Sequence, residues 1–341
     1  MLVNRAIRPI VLALLLRTAA ADSATLYVSD EKGGDVVVVD ADAGKVIGRV
    51  AVGKRPRGMQ LAPDGKYLYV ALSGSAIAGP GVDESTLPPP ERRFDGIGVI
   101  DLKSHKLVKT LPGGNDPETL AVSPDGKTLY VANEDAMRLT SIDATTGKVK
   151  ATVQIGVEPE GVAVRPDGKF VYVTCEGTSN VYAIDTSTMR VIAIVPTRPR
   201  PRALTFTRDG KTGFVSDELG AAITVFDTDS QRVVRTIELA NSSDTLLRPM
   251  GIVVSADNKT LYVTTGRGSA LLEIDIATAT VRRRINAIGQ RPWGLALNAD
   301  NTRAFTANGP SGDISVVDLN SGRVDKRISV GESPWGIVYK K

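Results

Sequence analysis

The sequence predicts an all-β fold: a seven-bladed β-propeller with four antiparallel strands per blade. Three observations carry this. A Pro-x-Gly-apolar-Ala-apolar unit recurs at Pro56, Pro117, Pro159, Pro201, Pro249, Pro292 and Pro334, with spacings of 61, 42, 42, 48, 43 and 42 residues. A period of about 40–45 residues with strand patterning marks a propeller blade. The chain also enters on a second strand, Thr25 to Val28, and ends on an unpaired first strand, Pro334 to Tyr339. Each end supplies what the other lacks, so the last strand should close the ring against residues 25–53 and remove the open sheet edges.

Each blade reads in the same order. Strand a follows the proline, as in Gly161–Val164 and Gly294–Leu297. A Pro-Asp-Gly turn comes next at 63–65, 124–126 and 166–168, where each residue type presets turn geometry. Strand b carries Leu-Tyr-Val or its equivalent, beginning near Tyr27, Tyr69, Tyr130, Tyr172, Phe214, Tyr262 and Phe305. Strand c ends in aspartate at Asp40, Asp101, Asp143, Asp185, Asp227, Asp275 and Asp318. A polar turn then opens strand d, for example Val149 to Ile155. Alternating Val/Ile and polar residues give the period of two that a sheet requires. The repeated aspartates are read as turn formers that accept backbone N–H groups, not as metal ligands. The second blade carries an inserted loop within residues 72–95, rich in Gly and Pro, on the side where strand d leads to the next strand a. It is either a cap over the central opening or a tolerated insertion.

Residues 1–21 read as a signal peptide: Arg5 and Arg8, an apolar Pro9–Leu16 run, then Ala19-Ala20-Ala21. The apolar run is too short to span a bilayer. Its removal takes three arginines and no acid, so the formal charge falls from +4 to +1 over the single propeller domain, 22–341. The expected location is periplasmic or secreted, with no membrane span after cleavage, and the expected state is a monomer. The near-zero mature charge disfavours nucleic acid as a partner. The Arg282-Arg283-Arg284 run is read as a solvated strand or turn. Cys175 is the one cysteine, so no internal disulfide can form, and a buried inert thiol is expected there.

In a propeller the d–a and b–c connections surround one axial opening. The strand-a prolines mark that rim, and their neighbours include Arg55, Arg57, Glu118, Glu160, Arg202, Arg291, Trp293 and Trp335. Three residues beyond the strand-b aromatic–Val pair stand Glu31, Glu134, Glu176 and Glu218, replaced by Gly266 and Gly309 in two other blades. Charges at ring-equivalent positions form a patterned mouth suited to a charged ligand or protein partner. The bland alternatives are solvated turn residues paired at little net energy and, for the tryptophans, packing between blades. The lone histidine, His105, sits in a c–d turn. A haem site, an ordinary zinc site or a Ser–His–Asp triad therefore lacks its residues, and no cofactor is expected. No catalytic residue is assigned. Glu118 and Glu160 could in principle do acid–base work, but nothing in the sequence fixes their separation.

The Tyr-Val-Ala-Asn and Tyr-Val-Thr strands with Pro-Asp-Gly-Lys turns resemble the YVTN-type seven-bladed propellers over about residues 25–341. Blade-specific segments look nearer to periplasmic propellers associated with pyrroloquinoline-quinone-dependent catabolism. They are Val52–Gly58, Ala132–Asp135, Val157–Gly161, Arg200–Arg202, Gly289–Trp293 and Pro334–Gly336. The 72–95 loop departs from that pattern. The resemblance implies a secreted propeller without established catalytic residues, close to quinoprotein alcohol oxidation but not itself holding the quinone. Related propellers include lactonases, haem-d1 and copper reductase domains, and a type suggested to bind single-stranded DNA. The shortage of histidine argues against the haem and copper branches. The leading expectation is a non-enzymatic accessory propeller that binds a small molecule or periplasmic protein at its mouth. A lactonase-like hydrolase using mouth carboxylates and weak single-strand DNA binding are the alternatives.

Overall fold

In the computed structural model, residues 24–77, 82, 86–239 and 247–341 are described. The segment read as a signal peptide lies outside them. The described chain forms seven four-stranded antiparallel sheets. Blade 4 shows the plan: strands a to d are Pro159–Val164, Phe170–Cys175, Asn180–Asp185 and Arg190–Pro196, each hydrogen-bonded to the next. Every strand c ends at its expected aspartate. Those carboxylates accept turn N–H groups, as Asp143 Oδ1 does from Thr146 at 2.8 Å and Asp185 Oδ1 from Thr188 at 2.8 Å. No metal-binding group of three or more such side chains occurs among the described residues.

The sequence places one proline at the start of each strand a, and six of the seven begin there. In blade 6 the strand shortens to Ile252–Val254, three residues past Pro249. Its rail is still held: Met250 N–H donates to Thr264 O at 2.9 Å, and Thr264 N–H to Gly251 O at 2.9 Å. In blade 2 the long connection runs from Leu72 to Gly96. Its described end is tied down, with Glu91 N–H on Gly74 O at 3.0 Å and Gly74 N–H on Asp95 Oδ1 at 2.7 Å.

The ring closes as expected. Pro334–Lys340 pairs antiparallel with Thr25–Asp30, matching Leu26 to Tyr339 and Val28 to Ile337. The buried Asp30 carboxylate accepts Ser333 N–H at 2.9 Å and Glu332 N–H at 3.1 Å, pinning the last turn to the first strand. Leu26, Val28, Val37 and Val39 of blade 1 pack on Phe305, Ala307, Ile314 and Val316 of blade 7. Each buried Leu, Val, Ile or Phe among them contributes about 1.5–3 kcal/mol. The same sheet-on-sheet packing recurs between neighbouring blades, for example Ala132, Leu139 and Val153 against Val171, Val173 and Ile184.

A second set of links runs around the axis. Ser29 Oγ–H donates to Arg57 O at 2.8 Å, Thr174 Oγ1–H to Arg202 O at 2.6 Å, Ser216 Oγ–H to Met250 O at 2.6 Å, and Thr264 Oγ1–H to Trp293 O at 3.3 Å. Each joins strand b of one blade to strand a of the next or, at Met250, to the segment that leads into it. At blade 3, where the strand-b position is Ala132, Thr119 of strand a reaches Glu160 O instead. Four of the five acceptor residues, Arg57, Glu160, Arg202 and Trp293, also line the axial mouth. Close approach of adjacent strands also explains the repeated strand-a glycine: a Cβ on Gly161 would lie 2.3 Å from Arg202 O.

Cys175 is buried and unpaired, as expected. It occupies the strand-b end position that holds Asp30, Asn133, Asp217 and Asn308 in other blades, each opposite a strand-a proline. Burial pushes its thiol up to about 12. The arginine run lies on strand Thr280–Asn286, where Arg282 pairs with Asp275 and Arg283 with Glu273. No helix of the described residues is long and apolar enough to cross a membrane.

Candidate functional site: the axial mouth

All twelve residues expected at the mouth line one cavity of about 540 Å³. Arg55, Arg57, Glu118, Glu160, Arg202, Arg291, Trp293 and Trp335 arrive from the starts of the a strands. Glu31, Glu134, Glu176 and Glu218 arrive from the ends of the b strands. The sequence reading did not single out Arg248, Arg267 and Arg200 as site residues, though Arg248 and Arg200 flank strand-a prolines. Ile77 and Val82 of the long blade-2 connection also border the cavity. Below the mouth, a narrower throat of about 230 Å³ runs between the a strands, lined by Met59, Leu120, Val162, Leu204, Ile337 and their neighbours.

The d–a turn aims the rim side chains by an unusual backbone. The residue before the strand-a proline has positive φ at Arg55 (45°), Asp116 (50°), Glu158 (53°), Arg200 (62°) and Arg291 (48°). That left-handed conformation costs a non-glycine residue about 1 kcal/mol or more. Its recurrence in five blades makes it part of the turn, and a long charged side chain is kept there all the same.

Two arginines are buried hubs. Arg57 pairs with Asp116 at 2.7 Å, with Glu118, and with Glu134 at 3.5 Å, and donates to Pro117 O at 3.0 Å. Arg202 pairs with Glu160 at 3.1 Å, with Glu176, and with Glu218 at 2.7 Å. Each hub reaches carboxylates of neighbouring blades. Burial alone would weaken the Arg202 charge, but Glu160, Glu176 and Glu218 outweigh it and hold the guanidinium above arginine's usual range. Arg200 adds contacts to Glu176 at 2.6 Å and Glu218 at 3.4 Å, and Arg55 meets Glu31 at 2.8 Å. Glu118 and Glu160, the pair considered for acid–base work, are thus bound to separate arginines.

Burial and crowding push several of these carboxyls upward. Burial, then the neighbouring Glu160, pushes Glu176 up to about 9 against the pull of Arg202 and Arg200. Burial pushes Glu134 up to about 7, opposed by Arg57 and reinforced by Glu160 and Asp116. Glu218 goes the other way: burial opposes, but Arg202 holds it below the usual carboxylate range. Shifts of both signs within one cavity are a mark of functional sites as well as of structural ion networks.

The other half of the mouth is donor-rich. Arg248 donates to the backbone oxygens of Leu219 at 3.1 Å and Glu218 at 3.4 Å, while Arg248, Arg267 and Arg291 make no ion pair among the described residues. Trp293 and Trp335 are half-buried, with ring centroids 5.7 Å apart and planes tilted by 39°. The guanidinium of Arg291 lies 4.8 Å from the Trp293 ring centroid and that of Arg202 5.4 Å from it. The tryptophans therefore pack on one another across the blade 7–blade 1 junction and still face the cavity, uniting the two readings the sequence left open. Sequence alone could not separate paired from unpaired arginines, because the partners lie up to 77 residues away.

Comparison with known proteins fits a propeller of this kind. Residues 91–209 match the cytochrome D1 heme domain family, about a third of the chain. The Antigen Lp49 of Leptospira interrogans is 30% identical over 31% of this chain and 30% of its own length. The hydrazine synthase subunit beta of Kuenenia stuttgartiensis is 35% identical over 32% of this chain and 31% of its own length. The chain thus matches less than a third of the length of these relatives. In shape it is similar to the periplasmic gluconolactonase PpgL of Pseudomonas aeruginosa, with a TM-score of 0.74 at 23% identity, covering 93% of this chain and 99% of that one. These likenesses and the sheet order set the class as a seven-bladed β-propeller.

The shortage of histidine argued against the haem branch, and residues 91–209 are similar to that family's heme domain over about a third of the chain. That partial similarity does not carry a ligand set: no histidine, cysteine, methionine or tyrosine lines the mouth among the described residues. The one histidine, His105, is exposed in a c–d turn beside Tyr27. The residues present do not fit axial ligation of a haem iron at this mouth.

Proposed function

We propose that this protein is a periplasmic or secreted binding propeller that holds a small ligand, or a segment of a partner protein, at its axial mouth. The observation that carries the reading is the division of labour among the mouth arginines. Arg57 and Arg202 are consumed by buried carboxylates, while Arg248, Arg267 and Arg291 and both indoles face the cavity with no ion pair among the described residues. A purely structural network would neutralise its cations, because unpaired charge held in a cavity costs free energy. An accessory role in quinoprotein-linked oxidation, expected from the YVTN-type resemblance, is compatible with this architecture. The periplasmic gluconolactonase and the signal-like residues 1–21 support the location. Mature protein recovered from a periplasmic fraction with residues 1–21 missing is the expected result.

The test of binding is native mass spectrometry of freshly purified protein, joined to tryptophan fluorescence against periplasmic extracts. A retained small molecule, or a change in the Trp293–Trp335 emission, supports the mouth. Neither, across all fractions, defeats it.

A second reading, lactone hydrolysis, is favoured by one observation: Glu134 sits beside Arg57 with its carboxyl poised at about 7. As carboxylate it would take a proton from water while the water oxygen bonds to the lactone carbonyl carbon. The ring C–O bond then breaks, and the alkoxide oxygen takes up the proton. Lactone turnover abolished by Glu134→Gln supports this reading. No turnover of sugar lactones by the parent protein removes it.

A further inference from the structure

We infer that the outer edge of blade 4, Val191–Pro196, is a docking edge. An extended segment of a partner protein adds there as a fifth strand, with alternating apolar side chains and an acid that meets Arg190. The site lies on the outer wall and is independent of the mouth.

The seven blades supply the comparison. Strand d is the last strand of every sheet, so it presents a row of backbone groups that no other strand of this chain pairs. Open edges of this kind are normally guarded by charge. Six blades follow that rule inside strand d: Arg49 in blade 1, Lys109 in blade 2, Lys150 in blade 3, Arg235 in blade 5, Arg282–Arg284 in blade 6 and Asp325–Arg327 in blade 7. In blade 4 the strand reads Arg-Val-Ile-Ala-Ile-Val-Pro, and no charge stands between Arg190 and Arg198. Ile194 is 52% exposed and Ile192 47%, with Tyr182 of strand c paired opposite Ile194. Ile47, Val108 and Val234 are exposed on other blades, but each has a basic residue one or two positions on. At four junctions a strand-d cation also lies across the wall to the next blade's c–d turn. Lys109 donates to Thr145 O at 2.6 Å, Arg235 to Ala277 O at 3.3 Å, Arg283 to Asn320 O at 3.3 Å and Lys326 to Ala43 O at 3.0 Å. The equivalent residue in blade 4 is Ala193, too short to cover anything.

Charge and area choose the occupant. A second copy fits poorly, because one short edge on a convex wall buries far less than the about 1,200 Å² of a stable protein interface. Antiparallel pairing of two such edges would also set Arg190 of each copy near the other's Arg198, whose acid Glu238, at 2.6 Å, is already taken. Arg190 is exposed and forms no ion pair among the described residues, so it calls for a carboxylate from outside. An extended segment needs little area: main-chain hydrogen bonds hold it, and alternate side chains give specificity. Pro196 has no N–H and ends the ladder, so the added strand spans Val191–Val195.

The experiment uses the full mature protein, the probe peptide Asp-Val-Thr-Ile-Thr-Val-Asp, and backbone hydrogen exchange read by mass spectrometry. The expected result is saturable binding that slows exchange over residues 190–196 and over no other strand d. The same peptide with lysine at both ends should bind about tenfold more weakly, since attractive cross-strand pairs become repulsive. Arg190→Glu should cancel that preference. Ile194→Lys should abolish the protection, while Ile47→Lys on blade 1 should leave it intact. Both side chains are exposed, so neither variant threatens the fold. No protection of 190–196 by either peptide overturns the proposal. Equal protection of several d strands overturns the assignment to blade 4. Undiminished binding after N-methylation of the probe's central amides overturns strand addition. Self-association that slows exchange at the same residues without peptide, and is lost in Ile194→Lys, overturns the partner in favour of a second copy.

Discussion

Arg202→Met is the sharpest test of which mouth arginines hold the scaffold. The side chain is buried and contacts Glu160, Glu176 and Glu218. Removing one partner of a buried ion pair costs about 3–5 kcal/mol, because it strands uncompensated charge. Two features pull the value to the low end. Burial and the neighbouring Glu160 favour the protonated form of Glu176, so it strands less charge than a free carboxylate would. Arg200 also remains within reach of Glu176 and Glu218. The expectation is therefore about 3 kcal/mol. At about 2 cal/mol/K of unfolding entropy per residue, a propeller of roughly 320 residues loses about 0.7 kcal/mol of stability per degree near its midpoint. The melting temperature should fall by about 4–5 °C in differential scanning calorimetry. Arg291→Met, which breaks no ion pair, should shift it by about 1 °C or less. A harmless Arg202→Met, or an Arg291→Met that costs as much, would refute the division into structural and free arginines.

Three further outcomes follow from the same structure. Glu176 keeps its proton up to about pH 9 in the folded chain, and Glu134 and Asp217 keep theirs to about 7, whereas the unfolded chain releases them near ordinary carboxylate values. Their contribution is complete below those ordinary values and is lost as pH rises through 7 to 9, so the melting temperature should decline from pH 5 to 9 and Glu176→Gln should flatten the profile. Asp30→Ala removes the buried acceptor of Glu332 and Ser333 N–H and should cost about 2–4 kcal/mol, read as a lowered denaturant midpoint with faster proteolysis of the C-terminal strand. Cys175 should resist a thiol reagent in the native protein and react fully in denaturant, because its thiol is buried and pushed up to about 12; rapid native labelling would contradict the packing.

The fold was legible because its signals are local and repeated. Each strand-a proline, each Pro-Asp-Gly turn and each strand-c aspartate marks a boundary within a few residues, and seven copies cancel the ambiguity of any one. Closure was legible because Thr25–Val28 and Pro334–Tyr339 are visibly two parts of one sheet. The location of the mouth residues followed from ring equivalence alone. What sequence could not supply is pairing. Arg57 and Arg291 look alike as neighbours of a proline, yet one is buried among Asp116, Glu118 and Glu134 and the other lies over an indole. That difference depends on side-chain direction across blades, as does the upward push on the Glu176 carboxyl. The shortened strand in blade 6 was also hidden, since Pro249 carries the same signal as the other six prolines.

The left-handed rim residues have a consequence for how this protein can change. At Arg55, Asp116, Glu158, Arg200 and Arg291, glycine would sit more comfortably than the residue present. Drift toward an easier backbone would erase charge from the opening one position at a time, without loosening the hydroxyl links that join the blades behind it. A descendant that had abandoned its ligand should therefore show glycines at these five places and an otherwise intact ring. Retained arginine or acid there is what the proposed binding mouth requires, held against the easier backbone that glycine would give.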